Sequence, residues 1–345
     1  MTAQVNAHRI KWADTLKGIG IVLVFFGHST LTDNQVYKYI YSFHMPLFFF
    51  ISGMFFKGSD KYDGIGKFIL RKVNTRIVPY IAFGLLTYVI WLFQMYMYKH
   101  GPYHGAQSVP DNLLNPLLGM VCGNAGSSGE LLPHNALLWF LACLFVTDII
   151  FFSINRIINT THSLLLILSL LSLVGYIDSL YLSIRLPFSI DVALNAVVFY
   201  GIGYISKNYL IDHNANIGIV IICLLLGFGV GYLNDAVDMY KMHYGNILLF
   251  YASSLSNIYA YIYIAKHIPS TRLITYLGQN SIVFFLLQVP AFIAAKGLVY
   301  LIFRIKVLNL EPNFAYASGF VLLSLLLLYP VSYIINSKIP IITGR

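Results

Sequence analysis

Charged residues are scarce in this chain. Only 10% of its 345 residues are Asp, Glu, Lys or Arg, whereas 58% are hydrophobic. Ordinary soluble domains carry about 25% charged residues, so this chain lacks the polar surface to cover a water-exposed body of its size. The composition therefore excludes a soluble domain and predicts a protein whose surface faces lipid.

Cysteine is equally scarce, and the three present are far apart: Cys122, Cys143 and Cys223. They show none of the short paired spacings of a metal or redox site, so we interpret them as packing residues. His100 and His104 are separated by a Gly-Pro pair, which disfavours the helical pairing of a zinc site, and we predict no metal. The net charge of +9 includes no basic block on a soluble module. It predicts orientation in a membrane rather than binding to nucleic acid.

Long apolar runs recur along the whole chain. Because a helix needs about 20 residues to cross a bilayer, roughly ten spans fit within the chain and leave no room for a second large domain. We predict an all-α polytopic transmembrane bundle that forms a single domain over residues 1–345. The ten predicted spans are about 14–31, 40–56, 76–98, 136–155, 162–177, 191–206, 217–233, 244–265, 273–294 and 314–335.

Lys and Arg are unevenly distributed between alternate connections. With the N-terminus inside, 15 of the 22 fall on the cytoplasmic side and seven on the other. The positive-inside rule then predicts that both termini are cytoplasmic. The same orientation predicts a basic cytoplasmic loop at about 57–76 and a long extracytoplasmic loop at about 99–135, which contains His100, His104 and His134.

The most informative segment runs from Asp14 to His28. Lys17 and His28 are 11 residues apart, so on a helix they lie within about 20° of one face and about 16 Å apart along the axis. Asp14 falls about 40° to the other side of this stripe. Ionisable residues within a span are costly and mark functional sites. The alternative is structural: Lys17 reaches the interface, and His28 bonds a neighbouring helix.

The second span contains His44 and Pro46. His44, a few residues into the returning span, reaches a depth comparable with that of His28, so we predict that the two imidazoles share a site. Pro46 is predicted to interrupt helical hydrogen bonding, which is tolerated beside a cavity. The alternative places His44 at the interface beside an aromatic belt.

The basic loop ends with Arg71 and Arg76 at the mouth of the third span. Guanidinium groups in this position are suited to clamp phosphate groups. Positive-inside bias explains such a loop without any ligand, so both interpretations stay open.

Several of these residues belong to longer motifs. They are Lys17 and His28 with ten residues between them, the run from Phe43 to Gly53 (FHMPLFFFISG), Arg76-x-x-Pro79-Tyr80, Leu138-Trp-Phe-Leu141 and Tyr276-Leu-Gly-Gln-Asn280-Ser281. In combination they resemble the membrane-bound acyltransferase 3 family, in particular its smaller bacterial sugar or fucose O-acetylases. One departure is Gln288, where many members have a His.

The resemblance implies that acetyl-CoA, or another acyl-CoA, binds from the cytoplasm. Its acyl group would pass to a hydroxyl of a cell-envelope glycan or a lipid-linked sugar at a bacterial plasma membrane. A competing interpretation is a non-enzymatic polysaccharide exporter or flippase of similar architecture.

The same resemblance suggests a role for each candidate residue. His28 is either the general base for the acceptor hydroxyl or a nucleophile that carries the acyl group. The remaining roles are CoA phosphate binding by Lys17 with Arg71 or Arg76, orientation of the bound donor's carbonyl by His44 and Ser52, and pairing of Asp14 with Lys17.

Overall fold

The computed structural model describes residues 10–29, 35–57, 64–100, 113–123, 131–182, 184–212, 216–304 and 313–344. Within these ranges the chain is built of helices and contains no β-strand, which confirms the predicted all-α class. The helices are α1 (Lys11–Gly27), α2 (Gln35–Tyr41), α3 (His44–Met54), α4 (Ile65–Lys72), α5 (Val78–His100), α6 (Asn115–Cys122), α7 (Trp139–Ile157), α8 (Thr161–Ile177), α9 (Ile190–Asp212), α10 (Ile217–Leu233), α11 (Ile247–His267), α12 (Arg272–Gln279), α13 (Ser281–Leu286), α14 (Gln288–Phe303) and α15 (Phe314–Lys338).

The long helices present apolar surface to the outside of the bundle. Leu166, Leu225 and Leu326 are 62%, 67% and 59% exposed, which is stable against lipid but not against water. The chain is a polytopic helical membrane protein, and the sidedness of its termini stays a prediction. Six helices in the described ranges are long and apolar enough to cross a membrane: Ile65–Tyr96, Ala136–Ile157, Thr161–Leu182, Pro187–Asp212, Ile247–His267 and Phe314–Lys338.

The predicted second span is broken just before Pro46, as expected from the hydrogen bond that proline cannot make to the carbonyl of Ser42. The break lies between the end of α2 and the start of α3 at His44. Pro46 falls in the first turn of α3, where a backbone N–H has no partner within the helix, so proline is tolerated there. The predicted ninth span is also divided, into α12, α13 and the start of α14, with breaks at Asn280 and Leu287.

The predicted loop at 57–76 is largely helical, which corrects the sequence interpretation. From Ile65 the chain forms α4 and continues through a π-helical turn, Val73–Ile77, into α5. Residues 58–63 lie outside the described ranges. The charged residues of this segment had suggested a loop, yet a helix with one polar face accommodates them equally well.

The long connection after α5 also contains a helix. The short helix α6 packs along α5, where the Tyr80 hydroxyl donates to the Met120 carbonyl at 2.7 Å. The Tyr88 hydroxyl donates to the Leu113 carbonyl at 3.0 Å. Part of the predicted 99–135 loop is therefore folded against the bundle.

Two pairs of glycines let helices approach closely around the first and third helices. A Cβ at Gly18 would meet the Ile274 carbonyl oxygen, and one at Gly278 would meet that of Asp14, so α1 and α12 touch through their backbones. Gly53 and Gly203 play the same part between α3 and α9. Small residues are the usual means of close helix packing in membranes.

Candidate active site

A cavity of about 290 Å³ lies where α1, α3, α7 and α13 meet the ends of α4, α12 and α15. It brings together four of the seven predicted site residues: Asp14, Lys17, Ser52 and Arg76. We call this region the cavity end. Its other polar walls come from Lys72, Gln279, Asn280, Ser281, Asn336 and Thr343, and its apolar walls include Phe48, Ile51, Phe55, Phe140, Leu141 and Leu144.

Lys17 and Asp14 face the cavity from the first turns of α1, as the predicted stripe requires. The Lys17 ammonium lies 5.1 Å from the centroid of the Phe55 ring, a cation–π contact. Asp14 is buried, and its Oδ2 accepts a hydrogen bond from Gln279 Nε2 at 3.3 Å. The pairing of Asp14 with Lys17 stays a prediction.

Lys72, rather than Arg71, lines the cavity beside Arg76. Arg71 is exposed, and its guanidinium lies 5.5 Å from the centroid of the Phe68 ring. The helical geometry explains the difference, because Lys72 and Arg76 share a face of the continuous helix and together reach Asp148, whereas Arg71 lies beside that face. Of the two arginines predicted to bind phosphate, Arg76 lines the cavity with Lys72, and phosphate binding by either arginine stays a prediction.

Both cations contact Asp148, a fully buried residue of α7. Its Oδ1 accepts hydrogen bonds from Lys72 Nζ and from the Tyr200 hydroxyl, each at 2.6 Å, and its Oδ2 accepts one from Arg76 Nε at 3.3 Å. Sequence reasoning missed this residue. The signal was available, since Asp148 is the single charged residue in the apolar run 136–155.

His28 and His44 lie at the opposite ends of α1 and α3 from the cavity; we call this region the histidine end. His28 follows the last residue of α1 and is exposed, with Nδ1 3.4 Å from the Tyr41 hydroxyl. His44 is buried at the start of α3. Both imidazoles contact the Tyr41 ring edge-on, with centroid distances of 5.8 Å and 4.7 Å. The structure thus gathers the two predicted histidines around one tyrosine.

The hydrogen bonding of His44 fixes its tautomer. Its Nδ1 lies 2.9 Å from the carbonyl oxygen of Ile40. Because a carbonyl oxygen only accepts, Nδ1 carries the proton and Nε2 is left as the ring's acceptor. His44 is therefore set up to accept, not to donate, through Nε2.

Ser52 lies at the cavity end, whereas Gln288 lies near the histidine end. Ser52 is eight residues from His44, about 12 Å along α3, and its hydroxyl donates to the Phe48 carbonyl at 2.8 Å. It therefore lies with the cations rather than with His44. Gln288 is fully buried, and its Nε2 donates to the Val24 carbonyl at 3.1 Å, one helical turn before His28.

Three phenylalanines lie between the two ends. Phe48, Phe140 and Phe285 are in mutual ring contact, with centroid distances of 6.1, 5.2 and 6.5 Å. Phe48 and Phe140 line the cavity, and Phe48 is one helical turn from His44. We call these residues the phenylalanine triangle. It forms part of the apolar wall of the cavity through Phe48 and Phe140.

Among the histidines of the long connection, His134 is buried against Tyr88, with ring centroids 5.9 Å apart. Burial lowers the pKa of His134 to about 4, so the ring is neutral at pH 7. His104 lies outside the described residues. Within the described ranges, no group of three or more His, Cys, Asp or Glu side chains is placed to hold a metal ion.

Residues 10–333 match the acyltransferase domain model of the acyltransferase 3 family. The match covers nearly the whole chain, so the chain belongs to this family and is a membrane acyltransferase. The resemblance seen in the sequence motifs is thereby confirmed at the level of the family, whereas the sugar O-acetylase subgroup stays a prediction. No curated protein matches the chain, and no solved structure does.

Proposed function

We propose that this membrane acyltransferase transfers an acyl group, most simply acetyl, from acyl-CoA to a hydroxyl of a cell-envelope glycan or its lipid-linked precursor. The donor would bind at the cavity end from the cytoplasm of a bacterial cell, and the acceptor would approach the histidine end from the other side of the plasma membrane. One observation carries the proposal: a cationic cavity and a histidine pair occupy opposite ends of the same two helices, α1 and α3.

The cavity suits the two chemically different parts of an acyl-CoA. Lys17, Lys72 and Arg76 supply positive charge for phosphate groups. Phe48, Phe140 and other apolar side chains supply a wall for the uncharged pantetheine arm. In this arrangement the pantetheine arm would enter the cavity, and the nucleotide would extend out of its mouth.

The length of the donor matches the separation of the two ends. Lys17 and His28 are about 16 Å apart along α1, a distance that the extended pantetheine arm can span. To reach the histidine end, a thioester would have to pass the phenylalanine triangle. The phenylalanine side chains would then have to change rotamer. The triangle would otherwise keep acceptor-side water away from the donor.

In the proposed reaction, the acceptor oxygen forms an ester bond to the acyl carbon while the bond from that carbon to the CoA sulfur breaks. His28 takes the proton of the acceptor hydroxyl and returns it to the departing thiolate, so the products are the acyl ester and CoA thiol. Transient transfer of the acyl group to His28 is the covalent alternative. His44, through Nε2, would accept a hydrogen bond that orients the acceptor.

The test is release of CoA from radiolabelled acetyl-CoA by the purified protein in nanodiscs, with and without mixed glycan acceptors. We expect acceptor-dependent turnover that falls by about 10²-fold or more in His28→Ala, because general bases contribute on this scale. Binding of CoA by this variant should be unchanged. His267→Ala, at an exposed histidine of α11, is the matched control and should keep wild-type turnover.

Other outcomes would redirect the proposal. Full activity in a well-folded His28→Ala preparation would remove His28 from catalysis. If the wild-type protein neither binds acetyl-CoA nor turns it over with any acceptor, this donor is excluded and the polysaccharide exporter is favoured.

A further inference from the structure

Lys72 and Arg76 share one counterion, although they are both cations of the same cavity wall. Their side chains are 13% and 20% exposed, whereas that of Asp148 is fully buried. Two cations this close together, in a poorly solvated place, repel each other and gain little from water. A carboxylate between them removes both difficulties.

Asp148 does not line the cavity itself; it lies behind the wall that Lys72 and Arg76 form. Its contacts leave most of the donors of the two cations for a ligand. Asp148 engages Nε of Arg76, one of five guanidinium donors, and one of the three ammonium donors of Lys72. A phosphate in the cavity is thus met by charged groups whose positions are already fixed.

We propose that Asp148 is a positioning residue that holds Lys72 and Arg76 at the cavity wall, where the two cations receive phosphate groups of the donor. The proposal rests on the proposed function, since it assumes a phosphate-bearing donor. It assigns a role in affinity to a residue that the donor itself does not touch. Tyr200 completes the arrangement, because its hydroxyl donates to the same Oδ1 as Lys72.

The alternative role for Asp148 predicts the opposite change in CoA affinity, so an experiment can distinguish the two roles. If Asp148 only neutralised the cations, its removal would raise the positive charge of the cavity and tighten the binding of a polyanion. If it positions them, its removal lets Lys72 and Arg76 leave the wall for water, and binding weakens.

The experiment compares direct binding of CoA and of pantetheine, which lacks the nucleotide and its phosphates, to the full-length protein in nanodiscs. Asp148→Asn should weaken CoA binding by about tenfold or more, as expected for loss of charge-assisted contacts. Pantetheine binding should be unchanged. In turnover assays the same variant should raise KM for acetyl-CoA much more than it lowers kcat, and Asp148→Glu should restore part of the affinity.

Asp191→Asn is the matched control. Asp191 is also fully buried and also paired, with Arg185 NH1 3.1 Å from its Oδ2, but it does not line the cavity or contact Lys72 or Arg76. Its substitution tests the general effect of losing a buried carboxylate. The ratio of CoA to pantetheine affinity should stay at the wild-type value.

Each outcome decides the proposal. CoA binding that is unchanged or tighter in Asp148→Asn would overturn the positioning role while the proposed donor stands. A wild-type protein that does not bind CoA would overturn the donor, and the positioning role with it. If Asp148→Asn does not fold, Tyr200→Phe takes its place, because it removes one donor to Asp148 Oδ1, and unchanged CoA affinity in that variant would overturn the role.

Discussion

The cavity end and the histidine end hold their polar side chains in different ways. At the cavity end charge faces charge, since Lys72 and Arg76 both contact Asp148. At the histidine end the partners are neutral: the Tyr41 hydroxyl for His28 and a backbone carbonyl for His44. The same two helices, α1 and α3, thus connect an ionic region with a neutral one.

This difference separates two tasks that one site would perform poorly. Buried charges persist only when they are paired, and a paired cation keeps its charge for a phosphate ligand. A base must instead start without a proton on the reacting atom, and a neutral imidazole has one ring nitrogen in that state. Substitutions at the cavity end should therefore change donor affinity, and those at the histidine end should change the rate.

We expect the largest effect from the double substitution of Lys72 and Arg76 by Ala, which tests whether the cavity end binds the donor. Each removes charge-assisted contacts to phosphate, and together they should raise KM for acetyl-CoA by about 10²-fold. The kcat at saturating donor should change far less, because neither residue lies near the histidines. Steady-state kinetics in nanodiscs give both constants.

Arg71→Ala is the control for this double variant, because Arg71 belongs to the same segment but does not line the cavity. Its KM should stay near the wild-type value. If KM for acetyl-CoA rises as much in Arg71→Ala as in the double variant, Arg71 contributes to phosphate binding as the sequence predicted. A loss of kcat with unchanged KM in the double variant would contradict the division between the two ends.

The sequence predicted which polar residues lie at each end better than it predicted the contacts between them. Helical periodicity along α1 correctly placed Asp14 and Lys17 on one stripe, because regular helices repeat a known angle per residue. The different positions of Arg71 and Arg76 relative to the cavity could not be predicted from a loop, because only helical geometry determines which residues share a face. Asp148 stands out in the sequence as a lone charge in an apolar run, but its pairing joins segments more than 70 residues apart, a contact that only the tertiary fold creates.

The break before α3 agrees with the interruption predicted from Pro46. Proline has no N–H to donate to the carbonyl four residues earlier, which here is the carbonyl of Ser42. That carbonyl instead accepts a hydrogen bond from the Ser254 hydroxyl at 2.5 Å. The replacement donor comes from α11, more than 200 residues later, and local sequence does not reveal it.

An intermediate effect is expected at the phenylalanine triangle, which stands between the two ends. Phe140→Leu should loosen the ring contacts with Phe48 and Phe285, admit water and raise acceptor-independent hydrolysis of acetyl-CoA by about tenfold, equivalent to about 1.4 kcal/mol of barrier. The measurement is CoA release without acceptor, divided by release with acceptor. The control Phe199→Leu, a buried phenylalanine of α9 that contacts Phe250 and Tyr251, should leave this ratio unchanged. Equal ratios in both variants would mean that the triangle does not separate the ends.

The smallest effect is expected from Tyr41→Phe at the histidine end. This change keeps the ring that packs on His28 and His44 and removes only the hydroxyl 3.4 Å from His28 Nδ1. That contact is long for a hydrogen bond, so its loss should lower kcat by about threefold, in keeping with a weak neutral interaction. KM for acetyl-CoA should not move. Tyr39→Phe, whose lost hydroxyl donates to Asn257 Oδ1 at 3.0 Å, is the control and should retain kcat.

The direction of the Tyr41→Phe change separates two uses of His28. If His28 acts through Nε2 as the base, Nδ1 carries the proton and donates to the Tyr41 oxygen, so losing that acceptor weakens the base and lowers kcat. If Nδ1 itself takes the acceptor's proton, the tyrosine hydroxyl occupies the reacting nitrogen, and its removal raises kcat. A change in KM for the donor, in either case, would show that the histidine end contributes to donor binding and would break the separation of tasks along α1 and α3.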